Sequence, residues 1–304
     1  MALALAVGSV DVAPATVWNA LTGDVRDTAG TVVRELRLPR AVAAFAVGGL
    51  LAVAGSLMQV LLRNPLADPY VLGLSGGAAC GALAALLLGV ASLVTPAAFI
   101  GAGISTALVF GLARGSGAWS PMRLLLTGVV VAAGWGALIM LMLAIAPDAQ
   151  VRGMLFWLIG DLSGAVQGGK ALAALACVLL LALPLARDAT LLARGDLTAA
   201  SLGVPVRAVT LALHALAAAA TAIAVTVAGS VGFVGLVVPH AVRLVIGNDQ
   251  RYLLPASALA GGVLLVLADT LARTLVAPAQ LPVGVLTALA GVPLFLWLLR
   301  RSTT

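Results

Sequence analysis

One glycine-rich stretch has the spacing of a phosphate-binding loop. Residues 164–170 read GAVQGGK and match the first seven positions of a P-loop. The eighth position is Ala171, where Mg²⁺ binding needs a Ser or Thr hydroxyl. An apolar helix is predicted to follow, and no strand is predicted before it. We therefore expect no catalytic residue here, and if the protein uses ATP, we expect another subunit to bind ATP-Mg and hydrolyse it.

Metal-binding side chains are sparse. The two histidines, His214 and His240, have no carboxylate or cysteine spaced to share a metal ion, so helix packing or capping is the favoured interpretation. No carboxylate pair lies at the centre of an apolar run, whereas proton-coupled transporters need intramembrane acids. We expect neither a metal nor a cofactor in this chain, and the pattern disfavours a proton-coupled transporter.

Two small charged groups stand at the ends of apolar runs. Arg37 and Arg40 are three residues apart around Pro39, just before one run. They are either anchors at the membrane interface or a cationic docking point for an acidic partner. Asp269 and Arg273 are four residues apart at the end of another run. We predict that they form an ion pair, which leaves Arg273 able to face a partner as well.

The composition identifies the class of protein. Of 304 residues, 62% are hydrophobic and 9% are charged, against about 45–50% and about 25% in soluble domains. A soluble protein of this length cannot bury so much apolar surface. The net charge of +6 is spread over the chain without a basic run, so nucleic acid is not a predicted partner. Membrane lipid is.

Charge-free runs predict the membrane-spanning helices, since each helix needs about 20 residues to cross a bilayer. The runs are 41–62, 69–113 (two spans that turn at Pro96), 124–147, 171–186, 208–242 (with a break near 229–232), 252–268 and 274–299. Together they predict eight full spans and one short one, all helical. Residues 1–10 are apolar but too short to span. The arginine distribution favours a cytoplasmic position for residues 63–68.

One cytoplasmic connection is unusual for a loop. Residues 191–206 read LLARGDLTAASLGVPV, with apolar residues at helical spacing and Gly203 as a stop before Pro205. This pattern is typical of two short helices that present a face to a groove in another protein. We name this segment the 191–206 loop.

Seven ordered motifs between residues 36 and 299 give the chain a family resemblance. They are LRLPR at 36–40, NPLADPYVLGLSGGAA at 64–79, FWLIG at 156–160, LTAASLG at 197–203, GFVGLVVPHAVR at 232–243, ADTLAR at 268–273 and LPVGVLTALAGVPLFLWLL at 281–299. In these motifs the chain resembles the FecCD-like permease subunits of type II ABC importers. That family includes the vitamin B12, ferric-siderophore and haem permeases.

The resemblance implies an all-α integral membrane protein with about ten transmembrane helices, the first of them short here. It implies one permease domain over residues 1–304, with the 191–206 loop as its cytoplasmic coupling loop. The partners it implies are a second copy in a homodimer, two ATPase subunits and a periplasmic substrate-binding protein, in the bacterial inner membrane. The function implied is ATP-driven import of a bulky metal chelate (ferric siderophore, haem or cobalamin) by alternating access. The alternative is a stand-alone secondary transporter or channel.

The resemblance also assigns roles to residues. The binding-protein docking positions match Arg37, Arg40 and Arg273. The cytoplasmic gate positions match Asn64, Leu66, Pro121 and Met122. The ATPase-coupling positions match Leu191, Asp196, Ala200, Leu202 and Gly203. Candidates for lining the translocation path, with core packing as an equal alternative, are Trp135, Met140 and Met142. Asp161 stands where relatives often have a small residue, and it either caps a helix or adds a charge at the outer mouth of the path.

Overall fold

The computed structural model describes residues 1–8, 12–23, 28–113, 121–165, 168–277 and 279–302, and every regular element in these ranges is helical. The α-helices are α1 (Ala2–Ala6), α2 (Pro14–Thr22), α3 (Thr28–Thr31), α4 (Leu38–Leu61), α5 (Leu74–Leu87), α6 (Val94–Ala113), α7 (Pro121–Ile145), α8 (Asp148–Ile159), α9 (Gly168–Ala182), α10 (Ala186–Leu192), α11 (Asp196–Ser201), α12 (Val206–Ala228), α13 (Val234–Ile246), α14 (Gln250–Thr274) and α15 (Val283–Ser302). A π-helical turn, Val32–Arg37, joins α3 to α4. The all-α class predicted from the sequence is confirmed.

Within the described residues, six helical segments are long and apolar enough to cross a membrane. They are Thr28–Leu61, Ala91–Ala113, Met122–Ile145, Gly168–Leu192, Val206–Ala228 and Gln250–Thr274. Three apolar helices are shorter: Leu74–Leu87, Val234–Ile246 and Val283–Leu298. The charge-free runs 171–186 and 252–268 underestimate their spans, because the helices continue through the charged residues on either side. The number of apolar segments agrees with the sequence prediction, but the distribution of lengths does not.

Two connections test the predicted boundaries. The sequence predicts the turn between the second and third spans at Pro96, and the structure places it at residues 88–93. Pro96 instead lies in the first turn of α6, where its missing N–H costs no helical hydrogen bond. The break near 229–232 is confirmed, because α12 ends at Ala228 and α13 begins at Val234. At the N-terminus α1 ends at Ala6, while Ser9 and Val10 lie outside the described residues.

Helix α4 lies at the centre of the fold and is buried along nearly its whole length by α9, α12, α13 and α14. Its closest contacts are made through glycine. A Cβ atom on Gly48 would overlap the carbonyl of Gly261, and one on Gly261 would overlap the carbonyl of Gly48. A Cβ atom on Gly55 would likewise overlap the backbone of Gly235. Lipid gives helices no hydrophobic reason to associate, so such close backbone packing stabilises the bundle.

Glycines on α5 serve two different purposes. Gly77 faces the backbone of Gly101 on α6, and Gly81 faces the backbone of Ala97, so these two glycines pack the helices together. Gly73, four residues before Gly77, has φ 68° and precedes α5 in the left-handed region that favours glycine. Its carbonyl accepts a hydrogen bond of 2.8 Å from the Ser105 hydroxyl.

The Tyr70 side chain forms hydrogen bonds with the non-helical backbone between α12 and α13. The Tyr70 hydroxyl donates to the Val231 carbonyl and accepts from the Val231 N–H, both at 3.0 Å. The Asp68 carboxylate caps the 3₁₀ turn Pro69–Leu72 by accepting from the Tyr70 N–H at 2.8 Å. Burial raises the pKa of Asp68 to about 6. Broken helices in membrane proteins need such internal partners, because lipid offers no hydrogen bonds.

The close glycine contact of α4 predicts that a Gly-to-Ala substitution destabilises the chain at one position and not at another. Gly48→Ala should lower the thermal midpoint of the purified chain in detergent, since overpacking a tight contact costs about 1–3 kcal/mol. Gly103→Ala on α6 should leave it unchanged or raise it, because a Cβ there meets open space and Ala favours helix over Gly by about 1 kcal/mol. Equal shifts in the two variants would contradict the packing described for α4.

Candidate functional site

The predicted docking arginines converge at one end of α4 around a single carboxylate. The Arg40 guanidinium forms an ion pair with the Asp269 carboxylate on α14. Its Nε lies 2.9 Å from one carboxylate oxygen and 3.2 Å from the other, and its Nη2 lies 2.8 Å from the first. Arg273, one helical turn beyond Asp269, donates from Nε at 3.2 Å. The predicted pair of Asp269 with Arg273 is confirmed. The sequence analysis missed Arg40 as a partner of the same acid.

The N-terminal helix contributes backbone carbonyls to this cluster. Arg37 donates from Nη1 to the carbonyls of Leu5 at 2.7 Å and Ala6 at 3.0 Å. Arg273 donates from Nη2 to the carbonyl of Ala4 at 3.1 Å. These carbonyls lie at the C-terminal end of α1, which carries a partial negative charge. All three arginines are buried in the single chain, and much of their hydrogen bonding is internal.

A depression of about 220 Å³ opens between these side chains. We call it the arginine pocket, and its lining includes Arg37, Arg40, Arg273 and Gln280. Gln280 accepts from Arg40 Nη1 at 2.8 Å. Among the described residues, the lining carries three arginines and one acid, Glu35, with Asp269 behind it. Arginine forms charge-assisted hydrogen bonds with carboxylates, so this lining suits a carboxylate of a partner.

The 191–206 loop lies near the opposite end of α4. It includes the last two residues of α10, all of α11 and Gly203 in the left-handed region at φ 82°, so the first of the two short helices begins at Ala186, before the predicted segment. Asp196 forms an ion pair with Arg63, just past the end of α4. The residues of this loop differ in exposure: Leu191 packs against the core, Ala200 is exposed, and Leu197 and Leu202 are 89% and 56% exposed.

The predicted gate residues lie on two separate segments. Asn64 and Leu66 are both exposed, and the Asn64 side chain accepts from the Leu66 N–H at 2.9 Å to fix the turn after α4. Pro121 begins α7, and Met122 beside it is 64% exposed.

Trp135 on α7 is tied into the fold by hydrogen bonds. Its indole N–H donates to Ser105 Oγ at 2.9 Å, and that hydroxyl in turn donates to Gly73 at the start of α5. Met140 on the same helix is 70% exposed and Met142 is half-buried. The indole of Trp135 thus has a packing role, which the sequence analysis kept open as an alternative.

Asp161 does not cap a helix, which is one of the two roles that the sequence leaves open for it. Its carboxylate accepts from the N–H of Ser163 at 2.9 Å and from the Ser163 hydroxyl, so it closes a turn. The helix that follows, α9, begins only at Gly168.

Of the P-loop-like stretch 164–170, residues 166 and 167 lie outside the described residues. His214 packs as predicted: Nδ1 lies 2.8 Å from the Thr210 carbonyl and the ring meets Phe110 edge-on.

Removing the shared carboxylate should destabilise the chain strongly. Asp269→Asn leaves Arg40 and Arg273 buried without a counter-charge, which costs about 3–5 kcal/mol in broken buried pairs. Asp249→Asn is the matched control: Asp249 pairs with Arg251 at 2.6 Å in an exposed position, where water screens the charges. Thermal unfolding in detergent should therefore shift only for Asp269→Asn. A near-wild-type midpoint for that variant would show that the cluster is not a buried ion pair.

The sequence of this chain matches a known family and is similar to known permease proteins. The family model described as the FecCD transport family matches residues 1–301. The hemin transport system permease protein HmuU of Yersinia pestis is 43% identical over 97% of this chain and 90% of its own length. The cobalamin import system permease protein BtuC of Halobacterium salinarum is 44% identical over 91% of this chain and 75% of its own length.

A solved structure agrees with these sequence relatives. An inward-facing conformation of a metal-chelate type ABC transporter has a TM-score of 0.87 and 28% identity, and the match covers 99% of this chain and 94% of that one. The chain therefore belongs to the FecCD transport family, the permease subunits of ABC importers.

Proposed function

We propose that this chain is the subunit that carries a bulky metal chelate inward across the bacterial inner membrane by alternating access, driven by ATP hydrolysis in a separate subunit. Family membership supports the permease role. The chelate class is supported by the relatives, which are named for hemin and for cobalamin, and by the metal-chelate transporter of similar structure. Haem, cobalamin and a ferric siderophore are the cargoes of this class.

One observation carries the proposal: two surfaces suited to protein partners lie at opposite ends of one central helix. The arginine pocket contains Arg40, near the start of α4, and Asp196 of the 191–206 loop pairs with Arg63, just past its end. Helix α4 has 24 residues, about 36 Å at 1.5 Å per residue, which is enough to cross a bilayer. A substrate-binding protein would dock at the first surface and an ATPase at the second.

The uncovered surface of α7 supports assembly with a second copy. Of the apolar window of Met122–Ile145, 6% is buried in the single chain. We infer a homodimer in which α7 faces the partner or the translocation path. Asn64, Leu66 and Met122 would then form the cytoplasmic gate. Met140 and Met142 would line the path in preference to the Trp135 indole, and Asp161 would lie at its outer mouth beside the arginine pocket.

If a binding protein docks at the arginine pocket, one carboxylate added to the pocket should weaken that docking. Gln280→Glu changes charge but little else at an exposed position, and the new acid competes for Arg40. Affinity for the cognate binding protein should fall, more at low salt than at high salt, because rim charges act through screened attraction. Asn19→Asp adds the same charge on exposed α2 outside the pocket and should have little effect. Equal affinities for both variants would refute docking there.

The coupling role predicts that the ATPase copurifies with this chain and that the 191–206 loop retains it. Leu202→Asp places a charge on an exposed apolar side chain, so the fold should survive. In the complex the same charge would be buried without a partner, which is costly. Recovery of the ATPase on affinity-tagged permease should therefore drop sharply while thermal unfolding stays unchanged. If wild type brings no ATPase, a stand-alone secondary transporter or channel replaces the importer proposal.

A further inference from the structure

A second polar pocket lies between the 191–206 loop and the turn from α13 to α14. Its volume is about 610 Å³. Eight of its eleven lining residues are polar or charged, among them Gln59, Arg63, Arg194, Arg243, Asn248 and Asp249. Four chain segments therefore meet here, from the end of α4, the end of α10, the last turn of α13 and the start of α14.

The charges of this pocket are only partly satisfied within the chain. Arg63 pairs with Asp196, and Asp249 pairs with Arg251. In the part of the chain that the structure describes, the side chains of Arg194 and Arg243 make no hydrogen bond and no ion pair. Both arginines line the same space, and two unpaired arginines leave it strongly positive. An occupant should therefore bring at least one anionic group.

A buried amide in the lining is also incompletely bonded. The Gln59 side chain is 3% exposed, and its Nε2 donates to the Leu236 carbonyl at 3.2 Å. Its Oε1 is buried and has no hydrogen-bond partner in the described residues. An unsatisfied buried acceptor costs free energy, and a rotation of the Gln59 side chain toward an N–H donor of an occupant would recover it. An acidic segment of a polypeptide offers both an anionic side chain and backbone N–H donors.

We propose that this pocket receives an acidic segment of the ATPase subunit, with a carboxylate between Arg194 and Arg243 and a backbone N–H on Gln59. The inference rests on the proposed function, because it assumes that the ATPase docks on the 191–206 loop. Arg194 belongs to that loop, so the pocket is continuous with the docking surface. Its volume exceeds that of one carboxylate group and accommodates a short peptide segment.

The first test measures affinity for the ATPase that copurifies with the wild-type chain. Arg194→Gln combined with Arg243→Gln should weaken binding about tenfold or more at low salt, since close interfacial charge pairs carry at least that coupling. The loss should shrink at high salt. Arg207→Gln is the matched control, because Arg207 is exposed beside the loop but outside this pocket. Unchanged thermal unfolding of each variant separates lost binding from lost fold.

The second test identifies the occupant directly. A photoreactive phenylalanine analogue in place of Asn248, in an otherwise wild-type complex, should cross-link to an ATPase peptide that contains Asp or Glu. Cross-linking to phospholipid, or to an ATPase peptide without an acid, would overturn the proposal. So would a double variant that binds ATPase as tightly as Arg207→Gln.

The two proposals fail separately. If wild type retains ATPase and Leu202→Asp loses it, while the double arginine variant binds normally, the importer function stands and only the acidic contact is wrong. If wild type retains no ATPase, the importer function itself fails.

Discussion

The register between α4 and α14 is the constraint on which the rest of the structure depends. The backbones of Gly48 and Gly261 meet where neither helix has a side chain. Arg40 and Asp269 lie eight residues from that contact toward the same end, one on each antiparallel helix, and form the ion pair. Eight residues correspond to about 12 Å on either helix. A methyl group at either glycine would separate the helices and pull this pair apart.

Charge at the arginine pocket is balanced with very little acid. Asp269 serves both Arg40 and Arg273. Arg37 donates to two backbone carbonyls at the negative end of α1, and carbonyl dipoles stabilise a buried guanidinium. One shared acid and one helix end thus hold the three arginines close together at the surface that we propose for docking.

The sequence predicts features that local pattern determines. Hydrophobic runs locate the apolar helices, and the glycines at 229 and 232 mark the break. Contacts between distant residues are not predictable from one sequence: Arg40 is 229 residues from Asp269, and Tyr70 is 161 residues from Val231. Spacing gives no signal at such distances. A lone acid at the end of a span, such as Asp269, could still have indicated several cationic partners. Helix lengths are missed where charged residues continue a helix beyond its apolar run.

The separation of Arg40 from Asp269 also has a consequence for biosynthesis. A ribosome that adds about 5–20 residues per second takes about 11–46 s to make the 229 residues between them. During that interval Arg40 lacks the Asp269 carboxylate, and an arginine at the end of a span can extend its side chain to the lipid–water interface. The nascent α4 can therefore span the membrane before its partner exists, and its burial by α14 follows the synthesis of α14.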